Sequence, residues 1–146
     1  MGRVAASVAL PYPPERVFRV ATRIEDLPRW MPDVVEAELL DPPLALGSRA
    51  RLRLSQAAAG AEVVATVSQL APPSRLVMTG SGGPLGVVLD VALRAADDGG
   101  THATVELNLD TPPFLGFIAR EVERRLQAGL PDALEGLRAL IEAEPA

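Results

Sequence analysis

The sequence predicts an α+β fold in which one long amphipathic helix covers an antiparallel β-sheet. Residues 114–143 are the only long segment in which apolar residues recur at helical spacing, whereas earlier segments mostly alternate apolar and polar residues as strands do. The predicted strands are joined by short turns, which requires antiparallel pairing because parallel neighbours need long crossovers. The helix must then bury its apolar stripe against the sheet. That stripe consists of Leu115, Ile118, Val122, Leu126, Leu130, Leu134, Leu137 and Ile141.

The composition fits a single domain, residues 1–146, and narrows the possible partners. The hydrophobic fraction is 48% and the formal net charge is −5, so the chain can bury a core but lacks the basic surface that nucleic acid requires. With no cysteine and one histidine, it offers no disulfide, thiolate or His/Cys metal site. No apolar run reaches the ~18 residues of a membrane span. We therefore expect a cytoplasmic protein, a monomer or homodimer, with no cofactor.

Prolines mark the boundaries between the first elements, because proline cannot donate to a β-ladder and interrupts helices. Residues 3–10 alternate as a half-buried strand. Residues 13–21 form a short helix, since proline suits the first turn and an early acid suits the helix dipole. Its buried side is Val17, Phe18, Val20 and Ala21. A second short helix is predicted at residues 25–31.

Six further strands are predicted between the short helices and the long one. The clearest turn is Asp-Asp-Gly-Gly at residues 97–100, a strong hairpin signal. Residues 57–60 and 81–84 are predicted as the turns after two other strands, and residues 62–70 as a strand that is apolar on both faces. The six strands are predicted at residues 34–40, 47–54, 62–70, 75–80, 85–96 and 101–110.

Short motifs at four places along the chain carry a resemblance to a known family. They are Leu-Pro-Tyr-Pro-Pro-Glu-Arg-Val-Phe at residues 10–18, Leu-Pro-Arg-Trp-Met-Pro at 27–32, Gly-Ser-Arg at 47–49, and the Gly-Gly-Thr turn at 99–101. These motifs and the order of elements resemble the polyketide cyclase/dehydrase and lipid-transport family of the START-like (Bet v 1-like, SRPBCC) superfamily. The resemblance implies a helix-grip fold, in which a curved seven-stranded sheet wraps the C-terminal helix. It also implies a cavity between them for an apolar ligand.

The sequence contains none of the common catalytic motifs. Residues 80–84 are glycine-rich, but their spacing is wrong for a dinucleotide loop and a strand follows where a helix is needed. His102 is the only histidine, and no nucleophile elbow accompanies it. We therefore assign no catalytic residue and no metal ligand.

The direction of the polar rows decides between binding and catalysis. His102 and Glu106 alternate with apolar residues on the last strand, as Arg49, Arg51 and Arg53 do on an earlier one. A cyclase or dehydratase needs a general base and a cation inside the cavity, and a one-residue shift in register would turn these rows inward. Because burying unpaired charges costs several kcal/mol, we predict that the apolar rows face the helix.

Four residues on the helices have two interpretations each. Trp30 either gates the cavity or anchors the short helices, with its indole N–H bound to a carbonyl. Phe114 and Phe117 either close one end of the cavity or pack in the core. Pro131 interrupts the long helix, so we predict two helical segments with a bend between them, which either wraps the helix around the curved sheet or lets its first half lift to admit a ligand.

Three functions remain open from the sequence. The first is binding or transport of a small hydrophobic molecule, lipid- or polyketide-like. The second is a cyclase or dehydratase that acts on an apolar chain in the same cavity, and the third is a protein-interaction module with a filled core. The predicted ligand-binding residues are Phe18, Trp30, Leu52, Leu54, Val63, Val67, Met78, Leu89, Val91, Val105, Leu107, Phe114, Phe117, Ile118 and Val122.

Overall fold

The elements of the protein follow the predicted order. The computed structural model describes residues 2–31, 33–55, 60–82 and 85–144, without the side chains of Leu85, Leu115, Ile118 and Ala119. Two 3₁₀ helices, Ile24–Arg29 and Pro113–Leu115, accompany the α-helices α1 (Pro14–Ala21) and α2 (Gly116–Ala143). The strands are β1 (Gly2–Leu10), β2 (Val34–Leu39), β3 (Arg49–Leu54), β4 (Glu62–Ala71), β5 (Arg75–Gly82), β6 (Leu85–Ala95) and β7 (Thr101–Asp110).

The strands form one seven-stranded sheet in the order β1-β7-β6-β5-β4-β3-β2, and every pairing is antiparallel. The hairpin predicted at residues 97–100 is confirmed, since Ala95 pairs with Thr101 and Gly86 with Asp110. Gly99 has a φ of +86°, a conformation that glycine adopts without a steric penalty. The curved sheet and the long C-terminal helix confirm the helix-grip architecture.

The two short helices lie close to their predicted positions. Pro14 begins α1, with Glu15 in the first turn, and the four predicted side chains on the inner face are buried. The predicted helix at 25–31 is instead the 3₁₀ helix Ile24–Arg29, which contains Pro28. Proline has no N–H to give to a helical ladder, and short 3₁₀ pieces are the usual form of such connectors.

Two strands differ from the sequence prediction. β5 runs to Gly82, so Ser81 and Gly82, predicted as turn residues, belong to the strand; residues 83–84 of that turn and 57–59 of the preceding one lie outside the described residues. β4 is apolar in sequence on both sides, but only Val63, Ala65 and Val67 are buried, while Val64 is 42% exposed. One face of β4 therefore meets the core and the other meets solvent.

The predicted break of the long helix at Pro131 is wrong, because α2 continues through it as one 28-residue helix. An interior proline costs about 3 kcal/mol. Leu130, Leu134 and Leu137, which flank it, are 0–1% exposed, and each fully buried leucine contributes roughly 1.5–3 kcal/mol. Burial of the flanking leucines therefore outweighs the missing hydrogen bond.

Side chains of α2 cover the free edge of the sheet along β1. The Gln127 amide accepts from the Ala5 N–H at 3.2 Å and donates to the Ala5 carbonyl at 2.9 Å, as a neighbouring strand would. Further along, Arg138 donates to the Ala9 carbonyl at 2.9 Å. These bonds satisfy backbone groups that an uncovered edge strand leaves free, and they fix the position of α2 along the sheet.

Candidate functional site

The register of the strands shows which connections lie at each of the two ends of the sheet. At one end Gly2 pairs with Leu109, and Gly82 pairs with Leu85. The β3–β4, β5–β6 and β7–α2 connections all lie there, so we call it the helix-entry end. At the other end Leu10 pairs with Thr101, and α1 begins, so we call it the α1 end. The helix α2 runs from the first end to the second.

The concave face of the sheet, which faces α1 and α2, is an apolar wall. Leu52 pairs with Val63 across β3 and β4, and Met78 lies between Val67 and Leu89 across β4, β5 and β6. The predicted wall residues are thus cross-strand neighbours on one face. The buried ones are Val63, Val67, Met78, Leu89, Val91, Val105 and Leu107, and Leu52 and Leu54 are partly buried against them.

Solvent exposure divides this wall into two halves. Val91 and Val105, nearer the α1 end, are at most 1% exposed, although Leu93 beyond them is 6% exposed and Val8 is half-buried. Towards the helix-entry end, exposure rises to 7% at Leu89 and 8% at Leu107. Apolar inward-facing side chains at this end remain only half-buried, namely Leu52, Leu54, Val87 and Val122. Apolar side chains at the helix-entry end therefore face the interior and still meet solvent; we call this part the open half of the wall, and the part around Val91 and Val105 its packed half.

Small residues lie beside the open part of the wall. Ala50 pairs with Ala65, Ala65 with Gly80, and Gly80 with Val87. A Cβ at Gly80 would lie 2.6 Å from the Val64 carbonyl oxygen, so the close approach of β4 and β5 requires glycine. This row brings little side-chain volume to the concave face.

The polar rows face outward, as predicted. Arg51 and Arg53 are exposed and form ion pairs with Glu38 and Glu36 on β2, and Arg49 pairs with Asp41 at 2.9 Å. That guanidinium holds the pKa of the Asp41 carboxyl below its usual range. On β7, Glu106 binds Arg3 at 2.6 Å, and His102 shares its outward row. The charges that a cyclase would need inside are therefore on the opposite face of the sheet.

The buried hydroxyl groups in the described interior are occupied by structural hydrogen bonds. The hydroxyls of Thr22, Ser48 and Thr101 donate to the carbonyl oxygens of Phe18, Pro43 and Tyr12 respectively. Within the ranges that the structure describes, no three carboxylate or imidazole groups lie close enough to hold a metal ion. The chemistry of this interior is contact with apolar groups.

Phe18 and Trp30 belong to the same buried core cluster as the wall residues. Trp30 is 4% exposed and packs against α2 where Gly136 leaves room; a Cβ at Gly136 would lie 3.6 Å from the Trp30 Cβ. Trp30 is therefore a packed core residue, and the hydrogen bond expected for its indole N–H is not found among the described residues. Among the described residues no acceptor lies within reach of the buried Nε1.

At the helix-entry end, one carboxylate joins three segments. Asp33, whose side chain is 9% exposed, accepts from Arg125 of α2 at 3.0 Å and from the Ser55 hydroxyl at 2.8 Å. Its φ of +60° is uncommon for a residue other than glycine. The sequence did not reveal this cluster, because Arg125 and Asp33 are 92 positions apart and neither belongs to a recognisable motif.

At the α1 end, the last turn of α2 is bound to α1. Arg23 forms an ion pair with Glu144, and Arg16 donates to the carbonyl oxygens of Ile141 and Glu144 at 3.0 and 3.1 Å. The Arg23 guanidinium lowers the pKa of the Glu144 carboxyl. The Arg16 guanidinium also lies 4.8 Å from the centre of the Tyr12 ring, within cation–π range.

Three predicted ligand contacts lie at the start of α2, namely Phe114, Phe117 and Ile118. For the two phenylalanines the prediction is wrong. Phe114 and Phe117 are 83% and 79% exposed, so they neither pack in the core nor line the wall. Phe117 and the buried Leu126 are nine positions apart, about two and a half helical turns, and point in opposite directions. The Ile118 side chain lies outside the described residues. None of the described helices is long and apolar enough to cross a membrane.

A second depression, on the outside of the sheet, has a volume of about 450 Å³. Its arginines are paired with its glutamates across β2 and β3, and Glu25 accepts the Leu39 N–H at 2.7 Å. Paired charges on an open surface provide little for a ligand to bind. The depression is lined by Glu25, Pro28, Val35, Glu36, Ala37, Glu38, Arg51, Arg53 and Glu62.

Comparison with solved structures identifies similar folds at low sequence identity. TTHA0849 from Thermus thermophilus is 21% identical, with a TM-score of 0.76 over 99% of this chain and 100% of its own. The Zhui aromatase/cyclase from Streptomyces sp. R1128 is 13% identical, with a TM-score of 0.79 over 97% and 93% of the two chains. Ara h 8.0201 is 17% identical, with a TM-score of 0.66 over 98% and 99%. These similarities establish the fold.

The family is established by the sequence itself. No curated protein matches the chain at a significant level. The model of the family described as polyketide cyclase / dehydrase and lipid transport matches residues 1–142, which is nearly the whole chain. The match includes the strands of the apolar wall and almost all of α2. The chain therefore belongs to the polyketide cyclase/dehydrase and lipid transport family.

Proposed function

We propose that the protein binds a small hydrophobic molecule, lipid- or polyketide-like, against the open half of the apolar wall. The observation that carries the proposal is the partial exposure of inward-facing apolar side chains at the helix-entry end, among them Leu52, Val87 and Val122. Apolar surface that faces the interior and still meets solvent is typical of a ligand groove. The lipid-transport description of the family supports the same ligand class.

In this proposal the two halves of the molecule have different tasks. The packed half, around Val105 and Leu137, stabilises the fold, because both side chains are 0% exposed. The open half receives the ligand above the row of small residues that includes Ala65 and Gly80. Of the predicted ligand contacts, Leu52, Leu54, Leu89, Leu107 and Val122 remain in the proposal as the nearest to the ligand.

The catalytic alternative has less support. Ring closure or dehydration needs a base at an enolisable carbon and a cation for the oxyanion. His102, Glu106 and the β3 arginines are on the outer face. Similarity to an aromatase/cyclase at 13% identity concerns the fold. We therefore propose binding or transport as the function.

Two adjacent valines on β6 provide a matched test. Val87 and Val88 are both half-buried, but Val87 packs on the core and borders Gly80, whereas Val88 pairs with Thr79 and Asn108 in the outward rows. Fluorescence of Trp30, the only tryptophan, reports titration with fatty acids and aromatic polyketide mimics. We expect Val87→Phe to weaken binding at least tenfold, because the ring fills the ligand's space, and Val88→Phe to leave it unchanged.

The stability of Val87→Phe separates an open groove from a filled core. In an open groove the added ring costs little stability, whereas overpacking a filled core typically costs 1–3 kcal/mol. A destabilised Val87→Phe protein, together with no binding of any probe by the unmodified protein, would overturn the proposal and favour an interaction module. Equal loss of binding in both variants would place the ligand elsewhere.

A further inference from the structure

The most exposed aromatic side chains of the protein lie together at the start of the long helix. Phe114 and Phe117 are 83% and 79% exposed and three positions apart, in the short 3₁₀ helix and the first turn of α2. They lie at the helix-entry end, beside the open half of the apolar wall. Phe117 faces away from the sheet, since the buried Leu126 is on the opposite side of the helix.

The same outward face of α2 becomes charged one turn later. Arg120 and Arg124 are three and seven positions after Phe117, which places them on its side of the helix. Arg124 forms an ion pair with Glu121 at 3.0 Å. Arg120 is exposed, and no carboxylate of the described chain pairs with it. Aromatic residues followed by a free guanidinium suit an apolar layer with phosphate groups above it.

We propose that Phe114, Phe117 and Arg120 form a tip that inserts into a phospholipid surface. The aromatic rings enter the boundary between headgroups and acyl chains, where aromatic side chains are enriched, and Arg120 binds a lipid phosphate. This contact brings the open half of the wall to the membrane surface. The inference goes beyond ligand binding and does not depend on it.

The size of the tip distinguishes a membrane from a protein partner. Two phenylalanines supply roughly 300–500 Å² of apolar surface in total, well below the ~800 Å² per partner of a stable protein interface. The residues that follow on this face are charged, whereas the centre of a protein interface is depleted of charge. A lipid layer requires no matching surface, so two inserted rings suffice for reversible binding.

Charge determines which part of the tip contributes most. The net charge of −5 opposes approach to an anionic membrane, so the attraction of Arg120 is local and screened by salt. The aromatic pair therefore carries most of the binding, and the arginine adds a preference for anionic lipid. Removal of the aromatic pair should therefore weaken binding to neutral and anionic vesicles alike, whereas removal of the arginine should weaken binding to anionic vesicles only.

Vesicle co-flotation of the full, ligand-free chain tests the proposal with two compositions, phosphatidylcholine alone and an equimolar mixture with phosphatidylglycerol. We expect the Phe114→Ser/Phe117→Ser double variant to lower the partition coefficient at least tenfold on both. Arg120→Gln should lower it about fivefold on the anionic vesicles only. Leu46→Ser and Arg94→Gln are the matched controls, because Leu46 is 70% exposed and Arg94 is exposed, both away from the tip, and neither should change binding.

A fluorescence variant gives a second readout at the tip. In Phe117→Trp the new indole should shift its emission to shorter wavelength with vesicles, over the constant signal of the buried Trp30. Absence of vesicle binding by the unmodified protein would overturn the proposal, as would binding that the double variant retains. Self-association that the double variant abolishes would also overturn it and identify a second copy as the partner. Binding of a ligand to the apolar wall is measured without vesicles, so its failure is seen separately.

Discussion

Gly80 and Gly116 differ in the space that a Cβ atom would have. A Cβ at Gly80 would lie 2.6 Å from a carbonyl oxygen on β4, whereas a Cβ at Gly116 would have no atom within 4 Å. Gly80 is therefore required by the close approach of two strands. Gly116, at the first residue of α2, has ordinary helical angles, φ −56° and ψ −34°, and is replaceable by alanine.

The two alanine substitutions should shift stability in opposite directions. Gly80→Ala should lower the free energy of unfolding by about 1–3 kcal/mol, as overpacking does. Gly116→Ala should raise it by up to ~1 kcal/mol, because alanine has the higher helix propensity. Urea denaturation of both variants checks this. A neutral Gly80→Ala variant would contradict the close packing of β4 on β5.

Gln127 was not predicted from the sequence to have a structural role, because it is a polar residue on an exposed helix face. Its role depends on the neighbourhood of β1, 122 positions away. In the same way, the sequence leaves Trp30 as either a gate or an anchor, and it does not show that the Trp30 Nε1 lies beyond every described acceptor. The periodicity of the sequence shows which face of an element is buried, whereas the hydrogen-bond partners of a side chain depend on tertiary geometry.

At the scale of elements, we expect Gln127→Ala to loosen β1 from α2. The variant loses two hydrogen bonds to Ala5 and leaves two backbone groups to solvent, which should cost about 1–2 kcal/mol. Hydrogen exchange at the Ala5 amide should become faster, while exchange in β6 should not change before global unfolding. Glu121→Ala, on the outer face of α2, is the control. Unchanged exchange at Ala5 would show that Gln127 does not cover the edge.

The junction of α2 with α1 should be sensitive to acid. Arg23 lowers the pKa of the Glu144 carboxyl in the folded protein. The stabilisation is therefore complete above the ordinary glutamate pKa of ~4.3 and is lost as the pH falls through the lowered value. Amide exchange, corrected for its intrinsic pH dependence, should show the last turn of α2 opening in acid.

Arg23→Gln is the control for this prediction. The variant should open the same turn already at neutral pH, and acid should then change it little. If the variant and the unmodified protein respond to acid alike, the ion pair with Glu144 does not hold the end of the helix.

At the scale of the whole molecule, the fold could be predicted almost completely. Alternating strands, short turns and one helical stripe define the antiparallel sheet and its covering helix, and the family resemblance supplies the curvature. The break at Pro131 was wrong, because the sequence shows the missing N–H but not the burial of the neighbouring leucines. The wall residues were predicted by alternation. The division into packed and open halves required solvent exposure, which a pattern does not contain.

If the proposed function is correct, the open half of the wall holds an apolar molecule. The most direct measurement is native mass spectrometry of protein purified gently, without detergent, followed by organic extraction and identification of the released compound. We predict an added mass that corresponds to one hydrophobic small molecule, lost in Val87→Phe and retained in Val88→Phe. A bare protein mass, with no uptake from a screen of lipids and polyketide mimics, would contradict the claim.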